Sequence, residues 1–405
     1  MKVAVVILNW NTREYLQRFL PGLLDSVREF NEGGAGKDAG EETGEFAGEE
    51  TGEGAEADSA ELIVADNAST DDSLEVLSRD FPEIRTISFD RNYGFTGGYN
   101  RAFSLLSEGS GSGKDSQGDA QAGNGNAQKS GYDLFLLLNS DIEVTPGWLF
   151  PLVDWMKTHP ECSACGPKLH SWYQRDCFEY AGAAGGLIDA LGYPFCRGRV
   201  IKKVEKDSGQ YDSPADVLWV SGACLMVRGS VWNALRGLDD RFFAHMEEID
   251  LCWRMQLEGW KVTVVPSSTV YHLGGGTLPQ TSPWKLYLNF RNNILLLDNN
   301  LAATIGPGKA RRRIFLRKIL DGCSAAVYLL SFKPQCFKAV WKAHRDAAKL
   351  KKAKLSEGPG DPGTGNGATY KGNSLRGLYK GIMIPRAILG LRIDTEKACG
   401  QGENA

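Results

Sequence analysis

Short apolar runs alternate with stretches of helical periodicity along the first part of the chain. Apolar residues recur every three or four positions between Tyr15 and Val27, which predicts an amphipathic helix. Polar N-capping residues precede a second helical pattern at 74–77. The apolar runs are short enough to be buried strands, and they cover residues 3–8, 62–65, 84–89 and 134–138. Strand and helix in this alternation predict a mainly parallel sheet with helices on both faces and ligands at the carboxyl ends of its strands.

Two intervals interrupt this alternation because they contain few apolar residues. Residues 31–60 are rich in Gly, Glu and Ala, and residues 107–131 are rich in Gly, Ser, Asn and Gln. Neither can bury enough apolar surface to offset the entropy of ordering, so both are predicted to be disordered insertions without a chemical role. Further along the chain, the pattern predicts strands at 217–227 and 261–265 and a helix at 247–258.

The C-terminal part of the chain is basic and helical in pattern. Residues 309–354 carry fourteen Lys and Arg against two Asp, and Phe315 and Ile319 begin an apolar stripe at helical spacing. Basic amphipathic helices either lie in the headgroup region of an anionic membrane or pack on the neighbouring domain, and the sequence leaves both open. The predicted organisation is a main domain at 1–306, a basic amphipathic helical extension at 307–354, and a linker and tail at 355–405.

Net charge and cysteine content limit the classes of function. The formal net charge of −4 argues against sequence-independent binding of the whole protein to nucleic acid, because such binding requires a surplus of Lys and Arg. Nine cysteines and a start without a hydrophobic leader predict reduced thiols and a cytoplasmic location. Cys162 and Cys165 have the spacing of a zinc or redox pair, but no second pair accompanies them, which favours a structural role. No apolar run approaches the roughly 18 residues that cross a bilayer.

Polar side chains follow the first two predicted strands, where a parallel sheet presents its ligands. Asn9 and Asn11 come directly after the first strand. Asp66 follows the second, and its carboxylate can accept hydrogen bonds from a nucleobase or a ribose hydroxyl. The same carboxylate could instead cap the following turn and helix, and the sequence does not decide between these two interpretations.

A glycine-rich segment follows the third strand. It contains Asn92, Gly94, Gly97 and Gly98, and glycines in such a position let the backbone approach a ligand closely before a helix begins. A tight helix entry explains the same glycines without a ligand. The spacing differs from the dinucleotide fingerprint, which removes the main support for a nicotinamide-dependent oxidoreductase.

The fourth strand ends in Asn139, Ser140 and Asp141. A carboxylate at this edge is a hard oxygen ligand that suits a Mg²⁺ or Mn²⁺ ion bound to a diphosphate. That ion would neutralise a departing nucleoside diphosphate. His272 follows the strand predicted near 261–265, and its neutral imidazole is a candidate second ligand, although a lone His is more often structural.

Three acidic residues begin the helix predicted at 247–258. Acids there interact favourably with the helix dipole, and Asp250 and Arg254 have the spacing of a surface ion pair, so a structural explanation exists. Glu247 and Glu248 are neighbouring carboxylates, which raise one another's pKa toward the range of a general base. We favour the functional interpretation, in which one of them takes the proton of an acceptor hydroxyl.

Taken in order, these motifs resemble family 2 glycosyltransferases of the GT-A fold, in particular the bacterial rhamnosyltransferase-like branch. The matching segments extend over about 1–300 and are 5–11, 65–71, 92–98, 138–141, 242–254 and 287–297. The resemblance implies an α/β, Rossmann-like GT-A fold with a mainly parallel mixed sheet flanked by helices, here followed by a C-terminal helical extension. It also implies an inverting, cation-dependent transferase acting in cell-surface polysaccharide synthesis.

The resemblance assigns roles to individual residues. Asp66 would read the base, the segment 92–98 would line the donor pocket, and Asp141 would bind the cation as the last member of a DxD-type site. His272 would be a metal ligand and Glu248 the catalytic base. Asn139 stands at the first DxD position, and Glu247-Glu248 stands where the family usually has Glu-Asp, so the choice between these two glutamates is left open.

The expected partners are a nucleotide-diphosphate sugar, with rhamnose as the sugar of the resembling branch, and a glycan or lipid-linked acceptor. A basic extension at 309–354 would place the protein peripherally on the inner face of the cytoplasmic membrane. The competing hypothesis is a non-catalytic nucleotide-sugar-binding module of the same fold. Acids at both Asp141 and Glu248 argue against it.

Overall fold

The computed structural model describes residues 1–33, 57–108, 131–274, 282–351, 375–389 and 395–399. The strands are β1 (Lys2–Asn9), β2 (Ser59–Asp66), β3 (Arg85–Ser88), β4 (Leu134–Leu138), β5 (Ile142–Val144), β6 (Cys162–Ser171), β7 (Gly186–Ile188), β8 (Pro194–Cys196), β9 (Arg199–Val200), β10 (Lys203–Val204), β11 (Ala215–Asp216), β12 (Cys224–Arg228) and β13 (Lys261–His272). The helices are α1 (Arg13–Gly33), α2 (Ser73–Asp80), α3 (Gly94–Glu108), α4 (Leu149–Thr158), α5 (Gly229–Ala234), α6 (Glu247–Leu257), α7 (Pro283–Ile305), α8 (Pro307–Leu330), α9 (Pro334–Leu350), α10 (Met383–Ile388) and α11 (Thr395–Cys399). A 3₁₀ turn spans Asp240–Phe242.

A large mixed sheet forms the centre of the molecule, with the strand order β11-β13-β6-β12-β4-β1-β2-β3 and with β5 paired to β13. β1, β2, β3 and β4 are parallel neighbours, and β6 and β13 run in the same direction because β12 is antiparallel to both β4 and β6. Only the shorter strands β5, β11 and β12 run the opposite way among the described strands of this sheet. The predicted mainly parallel mixed sheet is therefore confirmed.

The alternation of side chains along β1 shows how the sheet joins two helical layers. Val3, Val5 and Ile7 point into a core shared with α1, α2 and α4, whereas Ala4 and Val6 point into a second core shared with α3 and α6. Successive residues of a strand face opposite sides of its sheet, so a strand that is apolar throughout requires cover on both faces. This packing directs the loops at the carboxyl ends of β1, β2 and β4 to one edge.

The boundaries predicted from sequence agree with the structure in most of the main domain. The first four strands lie where they are predicted, and α6 ends one residue before the predicted end at 258. The predicted insertion at 31–60 overlaps the end of α1 and the start of β2, and that at 107–131 overlaps the end of α3. Most of both intervals lies outside the described residues.

Two strands differ in length from their predictions. The strand predicted at 217–227 is shorter, because the chain turns with a Cys224 N–H to Ser221 C=O hydrogen bond of 3.1 Å just before β12. The strand predicted at 261–265 instead continues to His272, after a register shift between Val265 and Thr269. Pro266 lies within this shift, and a proline cannot donate to a ladder, so a bulge accommodates it. The extension of β13 carries His272 to the end of β4.

The C-terminal helices α8 and α9 pack against α7. Tyr287 and Leu288 of α7 form a small core with Ala339 and Ala343 of α9. No helix within the described part of the chain has the length and hydropathy needed to cross a bilayer. Further along the chain than α9, Leu378 forms a parallel bridge with Ile188, so part of the predicted tail packs on the small sheet formed by β7 to β10.

Candidate active site

The carboxylate of Asp141 and the imidazole of His272 lie side by side at the carboxyl end of the sheet. Pairing of β13 with β5 sets His272 opposite Ile142, next to Asp141. The Nε2 atom of His272 is 3.2 Å from Oδ1 of Asp141 and 3.5 Å from Nδ2 of Asn139. Two adjacent ligands bound to one ion at about 2.1 Å lie roughly 3 Å apart. The 3.2 Å separation is also that of a direct ion pair, so metal binding by Asp141 and His272 stays a prediction.

Charge holds this pair together. Burial opposes ionisation of Asp141, but His272 and a hydrogen bond from the Gly274 N–H overcome it and lower the pKa of the carboxyl group. Burial alone would lower the pKa of His272, but the carboxylates of Asp141 and Glu179 raise it to about 10. A cation bound between them would replace the proton of the imidazole, because a histidine ligates a metal in its neutral form.

Glu179 is a buried carboxylate behind His272 that the sequence analysis does not identify. Its Oε1 atom is 3.5 Å from Nδ1 of His272, and its Oε2 atom accepts a hydrogen bond from the Ala181 N–H. It lies between β6 and β7, outside every motif, so no local sequence signal marks it. A carboxylate at this position favours the orientation of the ring in which Nε2 faces Asp141. Within the described ranges, no group of three or more His, Cys, Asp and Glu side chains is arranged to hold an ion.

The polar residues after β1 and β2 hold each other in place. Asn9 donates from Nδ2 to Oδ1 of Asp66 at 2.7 Å, and the Ser69 N–H donates to Oδ2 of Asp66 at 2.9 Å. Asp66 is 1% exposed, so its carboxylate is used in this turn, as the capping interpretation predicts. Asn11 is exposed and accepts a hydrogen bond from the Thr70 N–H at 2.7 Å. Recognition of a base by Asp66 stays a prediction.

A hydroxyl pair joins the ends of β1 and β4. Thr12 donates from Oγ1 to Oδ1 of Asn9, and the Thr12 and Ser140 hydroxyls are 3.0 Å apart. The structure thus brings Asn9 close to Ser140, which is far from it in sequence. Both are among the side chains predicted to contact the donor.

Protein atoms account for the glycines after β3. A Cβ on Gly94 would lie 2.5 Å from Cδ2 of Phe243, and Gly94 also has a φ of 72°. A Cβ on Gly98 would lie 2.7 Å from Leu8, and one on Gly97 would lie 3.1 Å from Tyr93. Asn92 accepts hydrogen bonds at its Oδ1 from the Gly94 N–H and from Asn67. The glycines allow close packing of α3 against β1 and against the turn before α6, and contact of this segment with a donor stays a prediction.

The turn before α6 has an unusual backbone. Phe243, His245 and Met246 have φ values of 65°, 72° and 71°, a region that side chains other than glycine rarely occupy. The Nδ2 atom of Asn292 lies 2.7 to 3.0 Å from the carbonyl oxygens of Phe242, Ala244 and His245. Asn292 on α7 thus holds the turn in this conformation. Its segment, 287–297, carries part of the family resemblance, but the sequence alone does not show what it contacts.

The turn presents two glutamates with different exposure. Glu247 is 4% exposed, whereas Glu248 is only partly buried. In both, the Oε2 atom has no hydrogen-bond partner within the described residues. Burial raises the pKa of Glu248 to about 7, and burial together with the neighbouring Glu248 raises the pKa of Glu247 well above its usual value. A carboxyl group with a pKa near 7 suits a general base, and Glu248 is the one of the two residues that is partly exposed.

Asp250 and Arg254 form the predicted ion pair, but the pair is buried and not on the surface. Asp250 is 0% exposed, and its Oδ2 atom accepts a hydrogen bond from Nε of Arg254 at 2.7 Å. Asn299 and Asn300 of α7 donate to its Oδ1 atom. The periodicity of α6 could not show that α7 would cover this face. Asp250 therefore fixes α6 to α7, and both of its carboxylate oxygens are engaged in that contact.

A short chain of contacts brings Glu248 close to the Asp141 loop. The Asn139 N–H donates to the carbonyl of Ala223 at 2.9 Å, just after β4. The neighbouring Gly222 packs on the side chain of Glu248, and a Cβ there would lie 3.5 Å from the Glu248 Cβ. The acidic groups predicted to bind the cation and to remove the proton thus lie at the same edge of the sheet.

Comparison with known proteins gives sequence relatives with assigned functions. No family model matches the chain. It is 28% identical over 213 residues to an N-acetylglucosaminyl-diphospho-decaprenol L-rhamnosyltransferase of Mycobacterium tuberculosis, a match that covers 51% of the chain and 64% of that protein. It is also 28% identical over 171 residues to the O-antigen biosynthesis protein RfbC of Myxococcus xanthus, covering 41% of the chain and 13% of that protein. The chain thus spans less than two thirds of the length of these relatives.

Among solved structures, residues 1–349 of TarS from S. aureus align with a TM-score of 0.47 and 14% identity, over 87% of the chain and 82% of that protein. The sheet order of the chain and its sequence relatives are the stronger findings. Together they show that the chain is similar in sequence to a rhamnosyltransferase and to an O-antigen biosynthesis protein and that it has the expected mixed sheet, which agrees with the resemblance to family 2 glycosyltransferases.

Proposed function

We propose that the chain is an inverting glycosyltransferase that moves a sugar from a nucleoside-diphosphate donor onto an acceptor hydroxyl. One observation carries the proposal: Glu248, a partly exposed residue whose pKa is raised to about 7, packs on the loop next to Asn139 and Asp141. A base and an anion-binding edge at this proximity are what a displacement at an anomeric carbon requires.

In the proposed reaction, Glu248 accepts the proton of the acceptor hydroxyl. The acceptor oxygen forms a bond to the anomeric carbon, and the bond from that carbon to the diphosphate oxygen breaks with its electron pair. Attack from the face opposite the diphosphate inverts the configuration. Glu247 is the less suitable base because it is almost fully buried and because the neighbouring Glu248 disfavours its ionisation.

The donor would lie at the ends of β1, β2 and β4. Asp141 and His272 would hold a Mg²⁺ or Mn²⁺ ion, which when bound would neutralise charge on the departing diphosphate. We propose that Asn9, Asn11, Asp66, Asn139 and Ser140 contact the nucleotide sugar around this position, together with the segment of Asn92, Gly94, Gly97 and Gly98. The Thr12 to Ser140 hydrogen bond keeps the ends of β1 and β4 in register for such contacts.

The name of the mycobacterial relative identifies rhamnose as its sugar and a diphospho-decaprenol as the carrier of its acceptor. We propose rhamnose as the donor sugar of this chain and a lipid-linked glycan as its acceptor, in the synthesis of a cell-surface polysaccharide. The proposed location is the cytoplasm, with peripheral association at the inner face of the membrane.

The test has a binding stage and a transfer stage. Purified protein is first screened against a panel of nucleotide sugars, with and without Mn²⁺, for ion-dependent thermal stabilisation, because a ligand that binds only the folded state raises the melting temperature. The ligands found are then tested for release of nucleoside diphosphate with glycan and lipid-linked acceptors. A nucleoside-diphosphate rhamnose is the donor expected to give both effects.

Two variants assign the roles. Glu248→Gln is expected to retain ion-dependent donor binding and to lose transfer by at least about a hundredfold, in line with loss of a general base. Asp141→Ala is expected to lose the ion-dependent part of donor binding as well. Near-full transfer by Glu248→Gln would contradict the base assignment, and donor binding by wild type without any diphosphate release would support the non-catalytic module.

A further inference from the structure

The exposed face of α8 is apolar, although the helix is packed against the protein. Phe315 is 64% exposed, Leu330 is 79% exposed, and Phe332, just after the helix, is 94% exposed. Ile319, Leu320 and Val327 are also exposed and lie between them. We call these six residues the outward apolar face. At about 100° per residue, the five that lie within α8 fall within about 140° of one side of the helix, and Phe332 follows its last residue.

The opposite side of α8 fixes the orientation of the helix. Arg317 and Asp321 are buried and form an ion pair of 2.8 Å, and the Arg317 guanidinium lies 3.8 Å from the centre of the Tyr193 ring. His344 of α9 contacts Asp321 at 3.2 Å. Small and charged residues therefore face the protein, while the large apolar side chains face away from it. The sequence left open whether this helix packs on the domain or lies on a membrane. In the structure one side of the helix packs on the domain, and the apolar stripe on the other side stays exposed.

Positive charge surrounds the outward apolar face. Arg311, Arg312 and Lys318 are exposed on α8, and no ion pair engages them within the described part of the chain. On α9, Trp341 is 60% exposed, and the Arg345 guanidinium lies 5.2 Å from its ring centre. The only acids in the sequence between 309 and 354 are Asp321 and Asp346, and both contact cationic side chains. We call Arg311, Arg312, Lys318 and Arg345 the basic rim, and its charge is complementary to that of an anionic partner.

The longer segments outside the described residues have few apolar side chains with which to cover this face. Residues 352–374 contain two large apolar residues, Leu355 and Tyr370, and residues 109–130 contain none. Residues 34–56 are acidic but contain one large apolar residue, Phe46, which is too few to cover six. A second copy of the chain would bring one basic rim against another, and like charges at an interface oppose association. An anionic lipid surface satisfies both features, because its headgroups attract the rim and its acyl region takes up the apolar side chains.

We propose that the outward apolar face inserts into the headgroup and upper acyl region of an anionic bilayer, with the basic rim on the lipid headgroups. This docking surface is separate from Glu248 and Asp141, and it is defined by lipid binding alone. It would hold the transferase at the surface where a lipid-linked acceptor is found.

The full chain is tested by flotation with vesicles of phosphatidylcholine alone and of phosphatidylcholine mixed with phosphatidylglycerol, without donor or acceptor. The wild type is expected to float with the anionic vesicles and to dissociate as salt is raised. A triple variant, Phe315→Ser/Leu330→Ser/Phe332→Ser, is expected to bind at least about tenfold more weakly. Leu74→Ser/Leu105→Ser is the matched control, because both leucines are exposed on other helices, and it should float like the wild type.

A second variant tests the rim. Arg311→Gln/Arg312→Gln/Lys318→Gln is expected to reduce binding to anionic vesicles by about tenfold or more and to weaken its dependence on salt. Thermal unfolding of each variant should match the wild type, because every replaced side chain is exposed.

Wild-type protein that remains in the soluble fraction with anionic vesicles at low salt would overturn the proposal. Equal losses in the triple variant and the leucine control would do the same. A dimer in sedimentation experiments that the triple variant abolishes, together with absent vesicle binding, would assign the face to a second copy of the chain. Because no sugar transfer is measured, each result stands independently of the proposed activity.

Discussion

Replacing Glu248 by Gln is expected to stabilise the folded protein above neutral pH while it abolishes transfer. Burial raises the pKa of this carboxyl group from 4.5 to about 7, so the folded state resists its ionisation. A folded-state pKa above the unfolded value means that the stabilising contribution is fully present below about pH 4.5 and is lost as pH rises to about 7. Above that pH, the folded protein carries a charge that the unfolded chain accommodates at lower cost.

The size of the effect on the free energy of unfolding follows from the same pKa shift. At about 1.36 kcal/mol per pH unit, a change from 4.5 to about 7 corresponds to about 3 kcal/mol. This is an upper limit, because Glu248 is only partly buried and solvent screens part of the charge. Gln keeps the shape but leaves an amide without a designed partner, at a cost of about 1 kcal/mol that does not vary with pH. The pH dependence of the difference is therefore the diagnostic quantity.

Thermal unfolding of both proteins from about pH 4 to about pH 9 measures that difference. The melting temperature of Glu248→Gln relative to wild type should rise between about pH 4.5 and 7 and then remain constant. Glu258→Gln is the matched control, because Glu258 is exposed at the end of the same helix. A difference between Glu248→Gln and wild type that is constant over the whole range would refute the reasoning, since it would mean that Glu248 titrates alike in both states.

Three further predictions concern the site. The rate of transfer at saturating donor should rise tenfold per pH unit below about pH 7 and level off above it, because Glu248 must be deprotonated, and a flat profile would exclude it as the base. Asn292→Ala should lower the free energy of unfolding by about 3 kcal/mol and reduce transfer more than nucleotide binding, because it removes the amide that binds the carbonyls before α6. The matched control, Asn233→Ala at an exposed position, should change neither quantity. Denaturant unfolding and rate assays measure the two effects. Glu179→Gln should weaken Mn²⁺ binding about tenfold, measured by titration calorimetry, and should add little to the loss caused by His272→Ala, because it acts through that imidazole; additive losses would show that it acts independently.

The parallel sheet could be predicted because local sequence determines it. Apolar runs such as 3–8 and 134–138 must be covered on both faces, and each ends in polar residues that a sheet places at one edge. Asp141 and His272 were expected to meet for this reason, and they do. The bulge that extends β13 was not predicted, because Pro266 indicates the end of a strand unless the partner strand tolerates a register shift.

Interactions between distant segments could not be predicted. The amide of Asn292 and the carbonyls it binds are about 50 positions apart in sequence, and no pattern in either segment indicates the other. The burial of Asp250 and the side of α8 that faces the protein also depend on neighbouring helices. Periodicity shows that a helix has an apolar stripe, whereas the position of the partner decides whether that stripe is covered.

α7 connects two regions whose proposed roles differ. Asn292 of α7 binds the turn that presents Glu248. The same helix packs against both α8 and α9. Asn292 and the residues of α7 that pack against the C-terminal helices lie on one continuous helix of 23 residues. The turn that presents Glu248 and the basic extension therefore share a single supporting helix.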